Sequence, residues 1–232
     1  MKPPTPNERF QANSQIAQAN RKDFDAAHVT AVSVAGPAGS GKTSIIEALL
    51  SRLDPKIGAA AIIANPTADR EVSRIIRHGY QAVPLLTDNL MALQVREALP
   101  RLDLHQLDLL LIESVYDPLS PVEFDLGHHI RIGVCSAADQ DAKVAEYQLL
   151  ITTSDLVLLT KTDLLPLVTF NFDVFCQGVQ RLKPGLDVIQ TSVHRNQGID
   201  TWLKWLEFHA RSNKRSSSPP RLFHPFAKWF HN

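Results

Sequence analysis

The chain has 232 residues, 44% hydrophobic and 21% charged, which is the make-up of a globular protein and excludes fibrous, collagen-like and wholly disordered classes. Lys+Arg and Asp+Glu both number 24, so the net charge is zero, and a surface built for nucleic acid, which needs a basic excess, is not expected. Two isolated cysteines, Cys135 and Cys176, form no CxxC pair, no apolar run reaches the ~18 residues of a membrane span, and the polar start lacks a signal core; the expectation is a reducing, cytoplasmic protein with no integral membrane segment.

In chain order, residues 1 to about 14 read as a loose arm, and Ser14 to Ala27 as a short helix packing through Ile16, Ala19 and Phe24. Val29 to Ala35 is a β-branched run and reads as a buried strand. It ends in GPAGSGKT, followed by SIIEALLSRL with Ile45, Ile46, Leu49, Leu50 and Leu53 at helical spacing. Ala59–Ala64 is a second strand, Asp69–His78 a helix stopped by Gly79, Ala82–Leu86 a short strand and Asn89–Leu102 an amphipathic helix. Leu107–Ile112 is a buried strand with Glu113 at its end, and Ile130–Cys135 and Asp155–Thr160 are two more. Phe172–Leu182 is a helix, Val188–Thr191 the last strand and Asp200–Ala210 the last main helix. Strands alternating with helices predict an α/β, doubly wound, mostly parallel sheet that binds its ligand at the strand C-termini. The division expected is 1–27 arm and helix, 28–210 the main α/β domain, and 211–232 a Ser/Pro linker and tail. From Ala210 onward there are five basic residues and no acidic one, with Phe223, Phe226, Trp229 and Phe230 near the end.

Gly36-Pro37-Ala38-Gly39-Ser40-Gly41-Lys42-Thr43 matches GxxxxGK[ST] between a strand and a helix. Glycines let successive N–H groups turn toward phosphate, the helix that includes Ser44 adds its positive end, Lys42 reaches the outer phosphates and the Thr43 hydroxyl suits Mg²⁺. This predicts a P-loop NTPase. Thr160-Lys161-Thr162-Asp163 then resembles the [NT]KxD of GTPases, where the Asp carboxylate accepts from guanine N1–H and the N2 amino group. Thr191-Ser192-Val193-His194 occupies the place of the GTPase Ser-Ala-Lys loop, with Ser192 and the Val193 backbone at the base.

Over roughly residues 14 to 207 the sequence is similar to the nickel-insertion GTPases of hydrogenase maturation, the HypB family, with the urease GTPases (UreG) as cousins. Asn20-Arg21 with Phe24 resembles the family's NRxxF helix, Leu109–Glu113 its DLLxIE strand, Phe124-Asp125-Leu126-Gly127 its FDLG segment, and Asp155–Pro166 its ADLVLxNKxDLLP. The resemblance implies a SIMIBI-type GTPase fold, GTP and Mg²⁺ as ligands, and Lys42, Asn65 and Glu113 at the catalytic positions, with Thr43 and Glu113 serving Mg²⁺. It also implies a nucleotide-dependent homodimer and a metalloenzyme precursor or accessory protein as partner.

The departures are specific. Ala64-Asn65 stands for the family's Gly-Asp, and Tyr116 for the Gly of ExxG that senses the γ-phosphate, so slow hydrolysis is expected. The family's Cys-His pair and later Cys correspond to Asp88, Asn89 and Ser120, which gives no nickel or zinc ligand set. His128-His129 is the sole adjacent His pair and, read as strand neighbours facing opposite ways, does not chelate. Arg74 matches an Arg of the switch helix. Two other readings stay open: a nucleotide-binding assembly scaffold with little hydrolysis and no metal handling, and a P-loop small-molecule kinase.

Overall fold

The computed structural model describes residues 6–87, 89–116, 124–139 and 144–212. The chain opens with α1 (Pro6–Ala26), β1 (Thr30–Gly36), α2 (Lys42–Leu50), β2 (Ala59–Ala64), α3 (Ala68–Arg77), β3 (Gln81–Leu85) and α4 (Ala92–Ala98). It continues with β4 (Leu109–Val115), β5 (Ile130–Ser136), α5 (Gln148–Thr153), β6 (Leu156–Thr160), α6 (Phe172–Leu182), β7 (Asp187–Gln190) and α7 (Ile199–Ser212). The seven strands form one sheet in the order β3-β2-β4-β1-β5-β6-β7, and every adjacent pair is parallel. This is the α/β doubly wound sheet that the alternating pattern implied.

Parallel strands need both faces covered. One face carries Val32, Val34, Ile63 and Leu111 against Ile45 and Leu49 of α2, Ile75 of α3 and Trp202 of α7. On the other face, Ile62 and Ile112 meet Phe24 of α1 and Val95 of α4, while Cys135 and Leu159 meet Phe175 and Val179 of α6. Cys135 is a core residue whose thiol burial pushes up to about 12. No described helix is long and apolar enough to cross a membrane.

Several boundaries differ from expectation, each for a local reason. The N-terminal helix begins at Pro6, not Ser14, and has 21 residues. Its buried positions are Asn13, Ala17, Asn20 and Phe24, so two of the four are polar and invisible to apolar periodicity; Ile16 and Ala19 are only half-buried. The expected helix over 89–102 is α4 followed by a 3-10 turn at Leu99–Arg101, because Pro100 supplies no N–H to continue the ladder. Strand β4 runs on past Glu113 to Val115. Helix α5 was not anticipated: Ile151, Thr152 and Thr153 disfavour helix, and the Thr152, Thr153 and Ser154 hydroxyls bond back to the carbonyls of Gln148, Leu149 and Leu150 at 2.8, 2.7 and 2.6 Å. The aromatic tail, Asp88 and Ser120 lie outside the described residues.

The NR and FDLG segments, about a hundred residues apart, prove to be one contact. Asn20 Nδ2 donates to Leu126 O at 3.1 Å and Ala92 O at 2.9 Å, and Arg21 Nε donates to Gly127 O at 3.1 Å. Gly127 has φ +88, and a Cβ there would meet Ala17 O at 2.5 Å. Only glycine lets the turn approach α1 so closely.

Candidate nucleotide site

The site forms where the phosphate loop leaves the C-terminal end of β1. Gly36 is its hinge: a Cβ there would lie 2.4 Å from Val134 O, so no side chain fits. Gly41, at φ +92, caps α2 in a left-handed conformation and turns the backbone N–H groups inward. A cavity of about 580 Å³ opens above the loop. Ala38, Gly39, Gly41, Lys42, Thr43, Ser44, Asn65, Glu113 and Lys161, all expected at the site, line it. Gly36, Pro37 and Ser40 shape the loop without lining the cavity, and Ser40 Oγ is buried without a hydrogen-bond partner.

The buried polar groups are only loosely satisfied. Lys42 Nζ donates to Pro37 O at 2.9 Å, and burial lowers the ammonium's pKa against the opposing pull of Glu113 and Glu71. Thr43 Oγ1 lies 3.0 and 2.9 Å from the two carboxylate oxygens of Glu113 and donates to that group. Glu113 is 2% exposed, and its burial raises the carboxyl to about 7 in spite of Lys42 and Thr43. A cationic ligand relieves that carboxylate and an anionic one relieves Lys42, so the cavity asks for both. The hydroxyl and carboxylate pair are hard oxygen donors that suit Mg²⁺.

Asn65 is committed to its own turn. Its Oδ1 accepts from Thr67 N at 2.8 Å and Thr67 Oγ1 at 3.0 Å, and its Nδ2 donates to Glu71. Tyr116, at the glycine position of the ExxG pattern, is buried with its ring edge-on to Tyr147 at 6.1 Å, and its N–H donates to Gly36 O at 2.8 Å.

In the loop after β6, Lys161 sits in the left-handed region at φ +56, a strained conformation for a lysine. Ser192 Oγ donates to Asp163 Oδ1 at 2.6 Å, and this bond, ahead of the other influences, lowers the Asp163 pKa. Thr162 N and Oγ1 both bond Thr191 O, which ties the two loops together. Asp163, Ser192 and the exposed Val193 do not line the phosphate cavity. Thr160, where GTPases usually carry Asn, donates through Oγ1 to Ser40 O at 2.5 Å, with Cys135 O also near at 3.1 Å. The end of β6 is thereby fastened to the phosphate loop.

With this geometry in view, the sequence profile of the CobW/HypB/UreG nucleotide-binding domain matches residues 30–190. The chain belongs to that family. It is 34% identical over 201 residues to the probable hydrogenase maturation factor HypB of Methanocaldococcus jannaschii, spanning 85% of this chain and 91% of that one. It is 32% identical to the hydrogenase maturation factor HypB of Azotobacter vinelandii, spanning 84% of this chain but 65% of that longer protein. The crystal structure of HypB from Archaeoglobus fulgidus superposes with a TM-score of 0.79 at 25% identity, covering 85% of this chain and 98% of that one. HypB from Helicobacter pylori in complex with nickel shares the fold, with a TM-score of 0.81 at 21% identity over 89% of this chain and 99% of its own.

Relative to the family's metal-binding members, the His pair is reassigned. Neither histidine lies in a strand. His129 Nδ1 accepts from Ala31 N at 3.0 Å and its Nε2 meets Asp25 at 2.9 Å, while His128 is half-buried, with its Nδ1 out of solvent and 3.6 Å from Asp125. Among the described residues no group of three or more His, Cys, Asp or Glu could hold a metal. The sequence reading also missed a residue. Glu71 lines the cavity on α3, three positions before Arg74, and places a carboxylate beside Asn65. The signal was present as a polar i, i+3, i+7 stripe of Glu71, Arg74 and His78.

Proposed function

We propose that the chain binds GTP with Mg²⁺ and hydrolyses it slowly in metalloenzyme maturation, as a cytoplasmic factor related to hydrogenase nickel-incorporation proteins. The observation that carries this reading is the union of the glycine cradle with the buried Thr43–Glu113 pair in one cavity that Lys161 also lines, with the Ser192–Asp163 bond in the loops beyond it. Lys42 would leave Pro37 O for the outer phosphates. Thr43 and Glu113 would hold Mg²⁺ and its water shell, and Mg²⁺ would supply charge neutralisation at the phosphates. Asp163, whose carboxylate form the Ser192 hydrogen bond favours, would accept from the guanine N1–H and N2 amino groups. Asn65 brings no charge of its own, but Glu71 places one beside it, so the loss of the family Asp is partly made good. The Tyr116 N–H, spent on Gly36 O, is not free to follow the γ-phosphate, which supports slow turnover.

A nucleotide-dependent homodimer and a metalloenzyme precursor or accessory protein are the partners this reading implies. A second reading, a nucleotide-binding scaffold without hydrolysis or metal handling, is favoured by Asp88, Asn89 and Ser120 at the family's soft-ligand positions.

Calorimetric titration with GTP and then ATP in Mg²⁺, followed by phosphate release, tests both readings. GTP binding that excludes ATP, with slow release, supports the first reading; binding with no release supports the scaffold. Asp163→Asn should weaken GTP by about 10- to 100-fold, since two charge-assisted bonds are altered, and improve binding of the xanthine nucleotide, whose C2 carbonyl accepts from an amide. An unchanged base preference would remove Asp163 from the guanine site.

A further inference from the structure

The cavity's wall on α3 holds a cation that the nucleotide reading leaves unused. Arg74 lines the cavity, and among the described lining residues it is the one guanidinium. It is 39% exposed and paired to Glu47, a residue of α2 one helical turn beyond Thr43. His78, four residues after Arg74 and capping the end of α3, takes the other oxygen of the same carboxylate at 2.9 Å. Glu47 therefore keeps a partner if Arg74 departs. Lys42, by contrast, is buried at the base of the loop, where any bound di- or triphosphate must meet it.

We propose that Arg74 is a triphosphate-sensing residue: it is held in reserve on Glu47 and turns onto the terminal phosphate of a nucleoside triphosphate, discriminating it from the diphosphate. This rests on the nucleotide-binding reading above. The chemistry follows from the fork shape of the guanidinium, which binds phosphate oxygens bidentately, and from the additional negative charge that a triphosphate presents. The exchange is between two anions for one cation. Glu71, on the same face of α3, keeps the path toward the cavity attractive to a cation. Because Arg74 stands on α3 and Glu47 on α2, the exchange would also report the state of the phosphate to the α2–α3 contact.

The test is equilibrium binding of GDP and of a non-hydrolysable GTP analogue, each with Mg²⁺, to the full chain and to three variants. Arg74→Gln should lower affinity for the GTP analogue about tenfold and leave GDP within about twofold. Arg74→Lys should recover only part of the loss, since the ammonium cannot chelate. Glu47→Ala, which removes the resting partner, should leave GDP unchanged and hold or improve binding of the GTP analogue. If Arg74→Gln weakens both nucleotides equally, or Glu47→Ala reproduces its loss, the ion pair is only a brace between helices and the proposal fails. If the wild-type chain binds neither nucleotide, the guanine reading itself fails, and that outcome is distinct from the first.

Discussion

The nucleotide cavity and the α1 clamp are both built from buried polar groups, yet they are opposite in kind. In the clamp each group is spent on the protein itself. Asn13 donates to Asp125 O at 2.7 Å and accepts from Ala92 N at 2.8 Å, and Asn20 and Arg21 are committed to the carbonyls of Ala92, Leu126, Gly127 and His128. In the cavity, Ser40 Oγ has no partner, Lys42 rests on one carbonyl, and Glu113 is neutralised by its surroundings up to about pH 7. A saturated polar network holds a fold together, whereas an unsaturated one is completed by a ligand.

The comparison breaks first at the clamp. Asn20→Ala removes the side-chain donor to Leu126 O and Ala92 O and opens a small cavity, at a cost of about 2 to 4 kcal/mol. Chemical denaturation should show that loss. Nucleotide affinity of the folded fraction should stay unchanged, and a parallel loss of affinity would mean that clamp and cavity are one unit.

His128 is the exception within the clamp region, because its Nδ1 is out of solvent and has only Asp125, at 3.6 Å. Burial lowers its pKa to about 4; Asp125 and Asp155 oppose that shift, and Arg21 and His129 add to it. The unfolded chain therefore takes up the proton first, near 6.5. Stability is fully present above about pH 6.5 and is lost as pH falls toward 4, by on the order of 3 kcal/mol at most. His128→Gln should flatten that part of the stability profile; an unchanged acid limb would assign it to other groups.

At the cavity the sign reverses. Glu113→Gln removes an incompletely compensated buried carboxylate, so the nucleotide-free protein should gain about 1 to 2 kcal/mol at pH 8. Its Mg²⁺-dependent nucleotide affinity should fall. Simultaneous loss of stability and affinity would show Glu113 to be a structural anchor.

The same contrast explains what was legible in the sequence. The phosphate loop is a backbone device written in consecutive residues, Gly36 to Thr43, and it could be read directly. The sheet was legible because strands buried on both faces are runs such as Ala59–Ala64 and Leu109–Ile112. The clamp was visible only as two unexplained motifs, NR and FDLG, since its logic is a contact between α1 and a distant turn. Asn13 hid the start of α1 for the same reason: its amide replaces the apolar side chain that periodicity looks for. Glu71 was missed because it acts from a helix face whose orientation only the fold decides. The base loop was half-legible, through TKTD, but the work of Thr160 was not.

Thr160 is where the two kinds of network join, and it supplies the smallest expected effect. Its hydroxyl hydrogen serves Ser40 O, within the phosphate loop, from the strand end that leads into the TKTD loop. Thr160→Val keeps the shape and removes the donor, which should cost about 1 kcal/mol of stability. If the bond also aligns the loop, GDP and GTP should weaken together by a few-fold, because the cradle precedes any difference at the terminal phosphate. Thr160→Asn, which brings in the residue usual in GTPases, offers a donor again beside Gly41, whose missing side chain leaves room there. Partial rescue by Asn and none by Val would make the hydroxyl a positioning group. Equal loss in both would reduce Thr160 to packing, and the two loops would then be held in place by the sheet alone.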